Sequence, residues 1–280
     1  MQASTAWTAP AGTLGRLVAE ARERADRLAA RRSELERAAA AAVASPEFAS
    51  SLQRLEVAVI AEVKRRSPSK GWINPGMSAA DQAAAYAAGG AAAISVLTEP
   101  DHFGGSVEDL IDVRNAVGGR LPILKKDFHV DAIQLLEAKA IGASAALLIV
   151  RALSPDHLAE LVAAATELRL EVLLEVRNAD ELQRALDAAA GRAAATAIGV
   201  NNRDLETLVI DVGRAEELIA RIPGRFVAIA ESGVNARSDV ERAAQGRADA
   251  VLVGSAVSAA ADPCAAVRDL TAVPRRPRDF

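Results

Sequence analysis

The chain has 280 residues, 51% hydrophobic and 25% charged, the balance of a folded globular protein rather than a disordered or fibrous one. Its formal net charge of -4 argues against a nucleic-acid binder that relies on a strongly basic face. A lone cysteine, Cys264, excludes an intrachain disulfide and a cysteine metal cluster, and no apolar run is long enough to cross a bilayer.

Residues 1–10 are expected to lack regular structure. The N-terminus does not read as a signal peptide, because Arg, Glu and Asp interrupt its apolar residues from Arg16 onward. A reducing cytoplasm is the natural compartment. From Gly12 to about Ala44 the pattern is helical, and Leu14, Leu17, Val18, Ala21, Ala25 and Leu28 fall on one face. Ser45-Pro46-Glu47 is a start signal for a short helix over 46–53.

The texture then changes. Short apolar, β-branched runs at 57–63, 92–97, 121–125, 145–150, 171–176, 196–200, 226–230 and 249–254 read as buried strands. Segments of helical spacing separate them, near 78–89, 106–117, 131–141, 155–168, 179–190, 212–221 and 236–245, and one more follows near 258–270. Ser78, Ser106 and Asp131 are expected N-caps, and Ser154-Pro155 places proline in a first turn.

Alternating strand and helix suits an open doubly wound sheet or a closed barrel. Eight βα units in this length favour the barrel, and no G-x-G-x-x-G follows the first strand. The expected fold class is α/β: a (β/α)8 TIM barrel over 56–272, with an N-terminal helical extension over 1–55 and a disordered tail over 273–280. The basic end of that tail reads as solvated and frayed.

In such barrels the active site forms at the C-terminal ends of the strands. The polar residues at those ends are Glu62, Lys64, Lys126, Glu175, Asn201, Arg203, Glu231, Ser232, Gly233, Gly254 and Ser255. Strand alternation points Glu62 and Lys64 the same way. Lysines and carboxylates converging on one mouth suit general acid–base chemistry, although a structural ion-pair network has the same composition. The glycines after the last two strands suit a phosphate, and Ser67 and Ser69 could add hydroxyl donors; glycine in a turn also needs no ligand. Asn201 and Arg203 suit a substrate carboxylate or hydroxyl, or an Asx-turn. Phe103 and Phe128 suit an aromatic pocket, or ordinary burial under loops. His102, His129 and His157 read as surface or loop residues with no metal-ligand spacing. Cys264 reads as packing on the last helix.

The segments IAEVKRRSPSKG (60–71), SVLTEPDHFGGS (95–106), LPILKKDF (121–128), EVLLEV (171–176), IGVNNRDL (198–205), AESGV (230–234) and VLVGS (251–255) follow one another in the order of a known family. On them the chain resembles indole-3-glycerol phosphate synthase over roughly residues 10–270. The resemblance implies a (β/α)8 barrel, without metal or organic cofactor. Its expected reaction converts 1-(2-carboxyphenylamino)-1-deoxyribulose 5-phosphate to indole-3-glycerol phosphate, carbon dioxide and water. It implies Lys126 as the acid for ring closure, Glu175 and Lys64 for later proton transfers, and Glu62 and Asn201 as positioning groups. Ser67, Gly233, Gly254 and Ser255 are then expected around the phosphate. Glu231, Ser232 and Arg203 would line the site, and Phe103 and Phe128 would flank the anthranilate ring. Departures are small: Ala256-Val257 where a larger residue and Met are commoner, and Lys125 where Arg is common.

The expected partner is a phosphorylated small molecule, with no nucleic acid and no membrane. The sequence does not fix the oligomeric state, and a monomer is the simpler expectation. Two rival readings stand. Phosphoribosylanthranilate isomerase shares the fold but needs a cysteine near the first strand, where this chain has none. A barrel that binds a phosphorylated metabolite to regulate a partner would not need Lys64, Lys126 and Glu175 together.

Overall fold

The computed structural model describes residues 7–67, 70–203 and 212–278. The apolar runs form strands β1 (Ala58–Val63), β2 (Ala93–Leu97), β3 (Ile123–Lys126), β4 (Ala145–Ile149), β5 (Glu171–Val176), β6 (Ala195–Asn201), β7 (Val227–Glu231) and β8 (Ala250–Val253). All are parallel, and β1 pairs with both β2 and β8, so the sheet closes into a barrel. The strands are buried inside the barrel and beneath the helices, so their sequences are continuously apolar rather than alternating.

Between and after the strands lie α4 (Ala79–Ala88), α5 (Val107–Val117), α6 (Ala132–Ala140), α7 (Pro155–Glu167), α8 (Ala179–Ala188), α9 (Val212–Ile219), α10 (Arg237–Gln245) and α11 (Pro263–Leu270). The expected starts are realised. Ser78 and Ser106 accept from the N–H groups of Asp81 and Asp109, Asp131 forms a capping box with Gln134, and Ser154 caps the helix that begins at Pro155.

The N-terminal extension differs from one continuous helix. It breaks into α1 (Gly12–Ala29) and α2 (Arg32–Ala41). The break sends Leu35 into a small apolar cluster with Ala25, Ile133 and Leu136, so tertiary packing overrides a helical pattern with no Gly or Pro at the joint. The next helix, α3 (Phe48–Leu52), starts two residues after Pro46. The Glu171 carboxylate accepts from the N–H groups of Phe48 and Ala49 at 2.6 and 3.1 Å, a cap supplied by a distant strand. Similarly, the last helical segment divides into a turn of helix at Ser255–Ser258 and then α11.

The expected disordered tail is corrected through residue 278. The Val57 N–H donates to the Val273 carbonyl at 2.8 Å, and the Arg275 N–H to that of Leu55 at 3.0 Å. Arg275 Nη1 lies 2.6 Å from Asp249 Oδ1, and the buried Arg278 places Nη2 2.7 Å from Asp249 Oδ2. Asp249 is the physical reason. A buried carboxylate requires cationic and hydrogen-bonding partners, and the tail brings them to the end of the barrel where the strands begin.

Candidate active site

Strand register sets the opposite end. Leu97 pairs with Lys126, Glu175 with Gly199, and Asn201 with Glu231. The residues expected there line one cavity of about 350 Å³. Glu62, Lys64, Lys126, Glu175, Asn201 and Glu231 are brought together with Ser67, Phe103, Phe128, Arg203, Ser232, Gly233, Gly254 and Ser255. Ser69 lies outside the described residues.

Two ion-paired groups organise the polar side. Lys126 Nζ lies 3.2 Å from Glu231 Oε2 and 3.5 Å from Glu175 Oε2. Lys64 Nζ donates to Glu62 Oε1 at 3.0 Å. Burial, the largest single influence on Lys126, opposes its charge. Attraction from Glu231, Glu175 and Glu62 nevertheless holds its pKa above the ordinary lysine value. Burial pushes the Glu231 carboxyl up to about 7, against the attraction of Lys126 and with the repulsion of Glu175 and Glu62. One oxygen of Glu231, Oε1, is buried without a hydrogen-bond partner among the described residues.

Missing side chains seat two of these carboxylates. A Cβ at Gly199 would stand 2.1 Å from Glu231 Oε1, and one at Gly254 would stand 2.4 Å from Glu62 Oε1. Glycine at these positions therefore keeps space for an acid rather than supplying a turn.

Asn201 forms the Asx-turn that its sequence position allowed: Oδ1 accepts from the Arg203 N–H at 3.0 Å. The same oxygen accepts from Ser232 Oγ at 2.9 Å, which orients the amide so that Nδ2 is left to donate elsewhere. Structural turn and site residue thus coexist. Ser232 has φ 65 and Gly233 φ 85, so a non-glycine residue is held in the left-handed region where the loop after β7 meets the cavity. Phe103 and Phe128 lie on another wall, with ring centroids 6.3 Å apart and planes tilted by 41°. A polar side with lysines and carboxylates, a glycine-rich edge and an aromatic wall suit proton transfers on a ligand with one charged end and one flat apolar end.

Sequence reasoning missed several lining groups. Thr13 and Leu17 come from α1, and Leu97, Leu147, Ile149 and Leu252 are apolar residues of the strands. For the strand residues, the period of two along each strand carries that signal. Glu99 and Asp127 were also missed, and both line the cavity.

Of the three histidines, His102 and His157 are part-exposed as expected, and the surface reading is corrected at His129. His129 is buried, and its Nδ1 lies 2.8 Å from the Leu147 carbonyl, so Nδ1–H donates there. Burial, with Lys125 nearby, pushes its pKa down to about 3 despite Asp127. His157 Nε2 lies 2.7 Å from the Val130 carbonyl, and His102 Nε2 lies 2.8 Å from Glu20 Oε2. Lys125 faces away from Lys126 and forms a buried pair with Glu137 at 2.6 Å. Glu20, Glu99 and His102 each bring a ligand-type atom within 4.8 Å of the others. Glu99, however, already accepts from the N–H groups of Asp101, His102 and Phe103, and Arg24 stands 3.6 Å from it. Protein groups thus account for that cluster.

Comparison with known proteins gives a consistent result. The family model described as indole-3-glycerol phosphate synthase matches residues 14–270. A Kineococcus radiotolerans protein of that name is 49% identical over 221 residues, covering 79% of this chain and 78% of the relative. A Dehalococcoides mccartyi protein of that name is 44% identical over 225 residues, covering 80% and 85%. A Streptomyces coelicolor protein named indole-3-glycerol phosphate synthase 1 is 46% identical over 244 residues, covering 87% and 88%. Among solved structures, a tryptophan synthase chain from M. tuberculosis superposes with a TM-score of 0.57 at 20% identity, covering 81% of this chain and 97% of that one. The 3-hexulose-6-phosphate synthase of Salmonella typhimurium gives 0.57 at 15%, covering 76% and 96%. These structural likenesses concern the fold.

Proposed function

The chain belongs to the indole-3-glycerol phosphate synthase family, and from this premise we propose how its residues divide the work of that carboxy-lyase activity. The substrate is 1-(2-carboxyphenylamino)-1-deoxyribulose 5-phosphate. Ser67, Gly233, Gly254 and Ser255 surround its phosphate, while Phe103 and Phe128 flank the anthranilate ring. Anchoring both ends restrains a flexible chain and supplies binding energy for the chemistry between them.

The observation that carries this assignment is Lys126 beside two buried carboxylates, 3.2 Å from Glu231 and 3.5 Å from Glu175. Held as an ammonium, Lys126 donates to the ketone oxygen as the ring carbon attacks and negative charge develops there. Loss of carbon dioxide then restores aromatic bonding in the benzene ring. Dehydration needs an acid for the departing hydroxyl and a base for the ring proton, which Lys64 and Glu175 supply. Glu62 holds Lys64 in place. Asn201, Arg203, Glu231 and Ser232 line the path between phosphate and ring.

Among the described residues no helix is long and apolar enough to cross a membrane; the proposed setting is the cytoplasm, with the barrel acting as a monomer. The test adds folded protein to the substrate and follows indole fluorescence. Wild type is expected to produce it, and Lys126→Ala to lose turnover by about 10²–10⁴-fold while retaining substrate binding. Binding without any product from wild type would replace this reading with a regulatory barrel.

A further inference from the structure

We propose that Arg24, on the N-terminal helix α1, is a positioning residue for the aromatic half of the substrate, acting through Glu99 and Asp127; the proposal rests on the function assigned above. Arg24 lies outside the barrel sequence and does not line the cavity. Its guanidinium nevertheless reaches two carboxylates that do. Nη2 donates to Asp127 Oδ1 at 3.0 Å, and Nη1 lies 3.6 Å from Glu99 Oε1.

Each carboxylate holds the backbone beside one ring. Glu99 accepts from the N–H groups of Asp101, His102 and Phe103 at 3.2, 2.7 and 3.0 Å. It thereby caps the short helix Pro100–Phe103, whose last residue is the first phenyl wall. Asp127 accepts from the Phe128 N–H at 2.8 Å and from Thr98 Oγ at 2.7 Å. Its chain neighbours are Lys126 and the second phenyl wall. The backbones are tied as well, since the Thr98 N–H donates to the Lys126 carbonyl at 3.2 Å.

Both acids are buried, Glu99 at 0% exposure and Asp127 at 7%. Two such carboxylates side by side repel one another, and dipoles alone compensate them poorly. Arg24 is the cation that reaches both, while Lys125 also acts on Asp127 through its charge. Its planar fork faces both at once, with a hydrogen bond to Asp127 and an ion pair to Glu99, a spread that a lysine ammonium does not offer. One turn earlier, Glu20 meets His102 at 2.8 Å, so α1 grips the same short helix at a second point. Farther back on α1, Thr13 and Leu17 line the cavity directly. The helix that precedes the barrel in sequence therefore sets the spacing of Phe103, Phe128 and Lys126. Among the described residues, Arg24 has its ion pairs with Glu99 and Asp127 and none with the phosphate end, built from the loops after β1, β7 and β8.

This asymmetry gives the test. Wild type, Arg24→Ala and Arg24→Lys are compared for KM and kcat with the full substrate, and for inhibition by inorganic phosphate. Arg24→Ala should raise KM by about tenfold or more, as expected for a lost hydrogen bond between charged groups, and lower kcat as well. The inhibition constant of phosphate should move by less than about twofold, since those contacts do not involve Arg24. Arg24→Lys, which keeps the charge but not the fork, should fall between, and it decides the matter if Arg24→Ala does not fold. An unchanged KM in the folded variants would overturn the proposal. So would an equal loss of phosphate affinity, because that marks a general loosening of the barrel. If wild type itself makes no indole product, the proposed function fails and this inference falls with it; if wild type turns over and the variants match it, only this inference fails.

Discussion

Lys126 keeps its proton because three carboxylates outweigh the cost of its burial, and Glu231 contributes the largest of those attractions. Glu231 in turn keeps its position because Gly199 has no side chain to displace it. Glu231→Gln removes the charge while preserving the shape. The Lys126 pKa then falls, so its protonated fraction is lost at lower pH. The basic limb of kcat/KM against pH should move toward acid by about one unit or more. The Glu231 carboxyl is pushed up to about 7 in the native protein; below that pH it loses its charge and its hold on Lys126. The variant should therefore also lose an acid-side limb near 7. A profile superimposable on wild type would separate Glu231 from the ionisation of Lys126. The ionisable residues of the mouth were legible in sequence because a barrel strand ends at its mouth, and a polar residue closing an apolar run stands out there. Gly199 was not, since its role depends on a neighbouring strand's carboxylate. His129 and Lys125 were not either, because their burial is set by the helix and strand packed behind β3.

Elements were legible to the degree that their signals are local. Strand runs, helix periods and the caps at Ser78, Ser106, Asp131 and Ser154 need only neighbours in sequence, and all form. Features fixed by distant groups were not legible: the break between α1 and α2 and the Glu171 cap on α3. The cap on α6 shows how local and functional structure connect. Asp131 accepts from the Ile133 N–H at 2.9 Å, while Gln134 accepts from Val130 and Asp131 and donates to the Phe128 carbonyl. The capping box thus closes the turn that starts at the aromatic wall. Asp131→Ala removes one half of it and should cost about 1 kcal/mol of stability, lowering Tm by about 2–4 °C in a domain of this size. Gln134 still holds the Phe128 carbonyl, so kcat/KM should stay within about twofold, as for a site that shares no partner with the lost bond. Thermal unfolding and steady-state kinetics on the same preparation check both. A large loss of kcat/KM with little change in Tm would show instead that Asp131 positions Phe128 itself.

At the scale of the whole molecule, the barrel separates chemistry from closure. Ionisable groups at the mouth are held as lysine–carboxylate pairs around a cavity. At the opposite end Asp249 receives two guanidinium groups and the Ala228 N–H. Arg278 also donates to the Phe226 carbonyl at 2.6 Å and to the Arg247 carbonyl at 3.2 Å. The tail therefore ties together the segments that enter β1, β7 and β8, across the seam where the barrel closes. Ending the chain at Thr271 removes both cations and leaves a buried carboxylate uncompensated, a change of about 3–5 kcal/mol. Tm should drop sharply, while kcat/KM measured well below the new Tm should be nearly unchanged, because the groups lost lie at the far end of the strands. Asp249→Asn in the shortened chain supplies the internal control. The amide keeps an oxygen for the Ala228 N–H but carries no charge, so it should restore part of the lost Tm. In the full-length chain the same substitution should destabilise, because it breaks the pairs with Arg275 and Arg278. Opposite signs in the two backgrounds would assign the effect to charge compensation; the same sign in both would assign it to packing of the tail alone.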